Sequence, residues 1–171
     1  NQFVTTVVEE EVAFGPENLG IPHPELRERV DRALLDTGLE DLHRRDPHYL
    51  SASQKARLAI ACILAMRPAC LVLDESTAML DPASRDDILG LVGKLHGDGL
   101  TVVSITHLMD EALMAERMLI MNEGQIAFEG SPRQVFGRAE ELEEMGLALP
   151  PAADLARRLR HRGIALPEGI L

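Results

Sequence analysis

The run Cys70-Leu71-Val72-Leu73-Asp74-Glu75 constrains this chain more than any other stretch. Four apolar residues lead into two adjacent carboxylates. A run this short and apolar fits a central strand of a parallel sheet, buried on both faces. Its C-terminal tip would then present the two acids, at the end where ligands of open α/β sheets bind. An aspartate there can hold Mg2+ through water, and a neighbouring glutamate can orient or polarise an attacking water. The plainer alternative is a core strand that ends in a solvated acidic turn.

The flanking sequence supplies the rest of an α/β pattern. Ser51 and Gln54 have capping-box spacing ahead of a helix. Its expected buried stripe is Leu58, Ala59, Cys62, Ile63 and Met66, and Pro68 ends it. Asp81-Pro82 opens another helix, with Ile88, Leu89, Val92 and Leu95 on its apolar side. Gly97-Asp98-Gly99 turns the chain into a strand over residues 101–106 that ends at His107. Helix and strand alternate, which predicts a parallel sheet with helical crossovers.

Upstream, a short helix is expected from near Thr6, broken at Gly15-Pro16. An amphipathic helix over residues 24–37 follows, with Leu26, Val30, Ala33 and Leu34 inward, Arg27, Glu28, Arg29 and Asp31 outward, and Gly38 as its stop. Downstream, residues 110–115 read as helical. Residues 117–128 read as a hairpin at the sheet edge, turning at Asn122-Glu123-Gly124. Residues 132–136 read as a short helix. After Pro150-Pro151 comes a small basic amphipathic helix carrying Leu155, Leu159, Arg157, Arg158, Arg160 and Arg162.

Hydrophobic residues make up 46% of the chain and aromatic residues 3%, so its core must be aliphatic. The net charge of -11 excludes a general binder of nucleic acid or anionic membrane, which needs a basic face. Cys62 and Cys70 both sit in apolar surroundings and are expected to be buried, reduced thiols. There is no signal-peptide pattern and no apolar run long enough to span a bilayer. His43 and His48 lie near Asp46, and His23, His96 and His161 are scattered. None has ligand spacing with a second cluster, so surface or helical-subdomain roles are expected.

Taken in order, Leu50-Ser51-x-x-Gln54, Asp74-Glu75, Leu80-Asp81 and His107 resemble the signature motif, Walker B motif, D-loop and H-loop of the nucleotide-binding subunit of ABC transporters. A P-loop, Gly-x-x-x-x-Gly-Lys-Ser/Thr, occurs nowhere. Gly93-Lys94 is followed by Leu95, with no glycine five residues ahead. The family carries its P-loop well upstream of the signature motif and its Q-loop glutamine just before the position of Asn1. Gln2 resembles a second glutamine a few residues beyond it. The chain, whose first residue is not Met, is therefore expected to be the C-terminal part of an ATPase subunit. Alone, it is expected to expose apolar surface, to lack stability, and to be inactive.

Within that family the chain resembles most the ATPase subunit of energy-coupling factor (ECF) transporters. Residues 12–20, the segment Ser76-Thr77-Ala78-Met79-Leu80-Asp81-Pro82, and the tail from Glu144-Met145-Gly146-Leu147 to Gly163-Ile164-Ala165-Leu166-Pro167 carry the resemblance. Many relatives have proline at the position of Ser76. The implied division is a partial ATPase domain at 1–137 and a C-terminal helical extension at 138–171. The first contains a helical subdomain over about 15–60, the signature at 50–54 and Walker B at 70–75. The implied fold is P-loop NTPase-like.

The resemblance also implies roles. Two ATPase subunits, identical or paralogous, would meet head to tail with ATP and Mg2+ between them. Asp74 would position Mg2+ through water, Glu75 would orient or deprotonate the attacking water, and His107 would contact the γ-phosphate region. Asp81 would couple the two sites. Ser51, Ala52, Ser53 and Gln54 would face the partner's ATP. The family motif usually reads Leu-Ser-Gly-Gly-Gln, so Ala52 and Ser53 are departures. A Cβ at position 53 is expected to crowd the phosphate or strain the backbone, weakening that composite site, the alternative being that the Ser53 hydroxyl donates a hydrogen bond instead. Further implied partners are a transmembrane coupling subunit and a separate substrate-binding membrane subunit. The implied function is uptake of a vitamin or metal ion, from a peripheral position on the cytoplasmic face of the membrane. A non-catalytic module lending its signature helix to another ATPase, or a decayed gene product, is the alternative.

Overall fold

The computed structural model describes residues 3–164. Gln2 and the Ala165-Leu166-Pro167 end of the expected extension lie outside the described residues. The chain divides into two compact units, one running to Ile105 and the other starting at Thr106.

The first unit opens with α1, Val8–Asn18. The expected break at Gly15-Pro16 does not occur. Pro16 removes one backbone donor, but the helix runs on to Asn18, and the N–H of its C-cap Leu19 donates to the Gly15 carbonyl at 3.1 Å. Gly15 serves packing instead, since a Cβ there would lie 2.9 Å from Met66 Sδ. Within α1, Glu11 is buried, and its carboxylate accepts from the segment ahead of the helix: Val4 N–H, Thr5 N–H and the Thr5 hydroxyl at 2.7–3.0 Å.

Helix α2, His23–Thr37, ends as its sequence requires, with Gly38 left-handed at φ +68. Val30, Ala33 and Leu34 are buried. Arg29, expected on the wet face, is largely covered and lies 2.6 Å from Glu25. Short 3-10 turns at Glu40–Leu42 and Pro47–Tyr49 lead to α3, Ala52–Leu64.

Helix α3 is packed on two sides, which corrects the single stripe expected for it. Leu58, Ala61 and Ala65 join α1 and α2 in one core, while Ile60 and Ile63 turn toward the sheet. Ala59 and Met66 are exposed. The helix ends short of Pro68.

Strand β1 is Cys70–Asp74, α4 is Pro82–Gly97 and β2 is Thr101–Ile105. The strands pair in parallel with Val72 opposite Val103, and α4 is the crossover. The unit is thus the expected α/β arrangement. Leu71 and Leu73 are buried with Ile60, Ile88, Leu91 and Leu95. In α4 it is Leu91, not Leu89, that is buried. The expectation of a strand buried on both faces is wrong for the described residues. Side chains alternate across a strand, and Cys70, Val72, Val103 and Ile105 are all exposed, with Val72 at 55%. Cys70 is therefore not a buried thiol. Cys62 is half-buried and donates to the Glu11 carbonyl.

The second unit begins with α5, Met109–Ala112, shorter than expected. Strands β3, Met118–Asn122, and β4, Gln125–Gly130, form the expected hairpin. Its two-residue loop has Glu123 at φ 49 and Gly124 at φ 77, the backbone signs of a type I′ turn. The hairpin was expected at the edge of the main sheet. Among the described residues it is a two-stranded sheet of its own. Helices α6, Pro132–Phe136, α7, Ala139–Glu144, and α8, Pro151–His161, complete the unit. Met118, Ile120, Phe128, Val135, Phe136, Leu142 and Ala153 form its core. Part of the basic face of α8 is paired internally: Arg157 with Glu143 and Asp154, and Arg158 with Asp154. No described helix is long and apolar enough to cross a membrane.

Candidate functional site

The residues singled out from the sequence lie at the ends of elements, where backbone groups are left over from helix and sheet. Asp74 closes β1 and shares its outer face with Val72 and Cys70, and Asp74 and Glu75 are both exposed. Glu75 has φ 45, the left-handed region. Two hydrogen bonds hold it there: its N–H donates to the Ile105 carbonyl at 2.9 Å, and its carbonyl accepts from Ala78 N–H at 3.1 Å. A left-handed conformation costs a residue with a Cβ about 1–2 kcal/mol, and strain of this kind clusters at functional sites.

The turn after Glu75 is equally fixed. Leu80 N–H donates to the Thr77 carbonyl at 3.0 Å, Thr77 is buried, and Met79 is 93% exposed. The turn delivers Asp81 as the N-cap of α4, its Oδ1 accepting from Ser84 N–H at 3.1 Å. Hydrogen bonds from Ser84, side chain first and backbone next, hold the Asp81 carboxyl below the usual aspartate range. Of its two expected roles, the structure places the helix cap directly.

The Ser51–Gln54 turn is the N-terminus of α3. The capping box read from the spacing is present: Gln54 N–H donates to Ser51 Oγ at 3.2 Å and Ser51 N–H to Gln54 Oε1 at 2.9 Å. Ala52 and Ser53 are the first helical residues, and neither is among the residues with positive φ. The feared backbone strain at these positions is therefore absent. The N–H groups of Ala52 and Ser53 belong to the first turn and have no partner within the helix, a disposition that suits an anion.

His107 is exposed and lies between β2 and α5, in the second unit. Beside it Leu108 N–H donates to Thr106 Oγ1 at 3.0 Å. Asp74, Glu75, Asp81 and the Ser51–Gln54 turn all belong to the first unit.

No group of three or more His, Cys, Asp or Glu side chains among the described residues makes an all-protein metal cage. Mg2+ rarely uses such a cage; one or two carboxylates, water and phosphate oxygens suit it better. The Asp74-Glu75 pair fits that donor set. The sequence reading passed over Arg57, three residues beyond Gln54. Its Nη1 donates to the Thr37 carbonyl at the end of α2, at 3.0 Å, and its Nη2 is 3.9 Å from Asp87 of α4. The available signal was its spacing from Gln54, which puts both on one face of α3.

A family model described as ABC transporter matches residues 1–78. The energy-coupling factor transporter ATP-binding protein EcfA1 of Symbiobacterium thermophilum is 54% identical over 172 residues, spanning 100% of this chain and 60% of its own length. Its namesake from Caldanaerobacter subterraneus subsp. tengcongensis is 48% identical, spanning 100% of this chain and 62% of its own. The solved structure of cbiO1 from Clostridium perfringens, described as part of the ABC transporter complex cbiONQ, superposes with a TM-score of 0.76 at 38% identity. It covers 92% of this chain and 63% of that one. The chain spans about 60% of the length of the curated relatives it matches. With identity this high along its whole length, and the motifs at the element ends where they were expected, the chain is similar throughout to ABC-transporter ATP-binding proteins.

Proposed function

We propose that the full-length protein is the ATPase subunit of an ECF-type transporter, coupling ATP binding and hydrolysis to uptake of a micronutrient, a vitamin or a metal ion. The similarity to this family implies dependence on ATP and Mg2+. The observation that carries the reading is the Asp74-Glu75 pair, exposed at the C-terminal tip of a parallel strand, with Glu75 locked in a left-handed turn.

Asp74 would hold Mg2+ through water. Mg2+, when bound, neutralises charge on the phosphates. Glu75 orients the attacking water or accepts its proton. His107 contacts the γ-phosphate region and keeps the reacting groups in line. Phosphoryl transfer needs positioning and charge stabilisation more than covalent help, and these side chains supply positioning. The Ser51–Gln54 turn offers its free amides and hydroxyls to ATP held by a second ATPase subunit, identical or paralogous, and Asp81 lies at that interface. The Cβ atoms of Ala52 and Ser53 narrow the approach of the phosphate and weaken this composite site. Residues 1–137 form the ATPase part and 138–171 an extension.

The named relatives are transporter ATP-binding proteins, and cbiO1 is described as part of a complex. By analogy the protein works on the cytoplasmic face of the membrane, with a transmembrane coupling subunit and a separate substrate-binding membrane subunit. Hydrolysis of ATP by the full-length subunit assembled with these partners, with and without the Glu75 carboxylate, tests the reading. Loss supports it and retention contradicts it.

A further inference from the structure

We propose that Glu11 is a positioning residue for ATP turnover: it clamps the chain that enters ahead of α1 onto the core of α1, α2 and α3, and itself touches neither nucleotide nor metal. The inference rests on the proposed reading, in which the full-length protein carries a P-loop upstream and this core offers the Ser51–Gln54 turn to a partner's ATP.

Three glutamates stand in a row at residues 9–11, and their surroundings differ. Glu9 pairs with Arg27 at 3.0 Å, and Glu10 is exposed. Glu11 falls on the same helix face as Val8 and Val12, and all three are buried. An apolar side chain would suit that face, and a carboxylate there is costly unless it is hydrogen-bonded. Among the described residues no cation pairs with it. Its bonds come from the chain ahead of the helix. Val4 N–H, Thr5 N–H and the Thr5 hydroxyl converge on one oxygen, Oε2, at 3.0, 2.7 and 3.0 Å. The hydroxyl shares its one proton with the Val7 carbonyl at 2.9 Å. Successive N–H groups aimed at one point form an anion nest, and here the anion belongs to the chain itself.

The backbone of the same residue faces α3, where Cys62 Sγ donates to the Glu11 carbonyl at 3.5 Å. Val8 N–H and Glu9 N–H donate to the Arg45 and His43 carbonyls, both at 2.9 Å, in the loop that leads to Ser51. Phe3 packs against the same core. The start of α1 is thus joined to the α2–α3 loop through backbone, whereas the polar ties of Val4 and Thr5 to the helix run through one carboxylate. ATP binding by the protein's own P-loop does not need this clamp. Presenting the turn to a partner's site at a fixed distance from that P-loop does, so the clamp acts on turnover and not on affinity.

The test uses the full-length subunit assembled with its transporter partners. It measures kcat and KM for ATP, and amide hydrogen exchange, in Glu11→Leu, Glu11→Gln and Ser51→Ala. Leucine fits the buried face and removes the acceptor. Glu11→Leu should lower kcat roughly tenfold, the scale of one bond to a charged acceptor, with KM changed less than about twofold. The Val4 and Thr5 amides should exchange faster while those of α2 and α3 stay protected. Glu11→Gln keeps the reach and an acceptor oxygen, and should regain most of the turnover. Wild-type kcat in Glu11→Leu overturns the proposal, as does unchanged protection of Val4 and Thr5. Loss of protection throughout α1, α2 and α3 also overturns it, since Glu11 would then serve stability alone, and so does a Glu11→Gln variant no faster than Glu11→Leu. Wild-type turnover in Ser51→Ala would instead overturn the parent reading of that turn.

Discussion

The backbone N–H of Glu75 donates to the carbonyl of Ile105 at 2.9 Å, which carries the β1–β2 ladder one step past the last residue of β1. The bond fixes the first residue beyond the strand while its φ of 45 turns the chain away from the sheet. A glycine would occupy that φ without a steric penalty. Glu75→Gly should therefore stabilise the full-length subunit by about 1 kcal/mol, less the entropy glycine adds to the unfolded chain, while removing hydrolysis. Thermal or denaturant unfolding checks it. Destabilisation would mean that the side chain, not the backbone, decides the energetics at this position.

Asp81 caps α4 through Ser84, and its carboxyl is held below the usual aspartate range. The stability it contributes is fully present above the unfolded-state pKa and fades as pH falls through the lower folded value. Asp81→Ala should lower the melting temperature by a few degrees at neutral pH. Asp81→Asn should lose little, since asparagine also caps. The gap between wild type and Asp81→Ala should close on acidification below the ordinary aspartate pKa. A gap that persists there excludes the charged cap.

The two thiols should differ sharply. Burial, reinforced by the negative charge of Glu11, pushes the Cys62 thiol up to about 12, and the group is half-buried. Cys70 is exposed on the outer face of β1. In the folded 171-residue chain at mildly alkaline pH, a thiol reagent should modify Cys70 and spare Cys62 until denaturant is added. Mass-spectrometric mapping of the adduct settles it, and labelling of Cys62 first would contradict the arrangement.

Ala52 and Ser53 are helical residues at the start of α3. Glycine at both should cost up to about 1 kcal/mol each in helix stability. In the assembled transporter it should nevertheless raise ATP turnover by relieving the approach of phosphate. Unchanged or reduced turnover counts against a weakened composite site, and leaves the two residues as simple helix stabilisers.

Most of the fold is written locally in the sequence. The capping box at Ser51, the Asp81-Pro82 start of α4, the Gly38 stop and the hairpin turn each rest on a few adjacent residues, and each formed as read. The misreadings concern what packs on what. Gly15-Pro16 looks like a break, but α1 runs through it, and the glycine is matched to the close approach of Met66. Ala59 and Met66 fit one helical stripe, yet α3 is buried on two sides and the stripe is displaced. Cys70 lies in an apolar run, but alternation puts it on the face that no described residue covers. The carboxylates at the tip of β1 were legible because strand ends place side chains predictably. The left-handed backbone of Glu75 was not, because it depends on the pairing with Ile105.

The most direct test of the account is ATP turnover by the full-length subunit, assembled with its transporter partners, carrying Glu75→Gln. Glutamine keeps the size and turn geometry but cannot accept the proton of the attacking water. The account predicts that ATP binding is retained while hydrolysis falls by roughly a hundredfold or more, the range for loss of a general base. Binding and hydrolysis both at wild-type levels would contradict it.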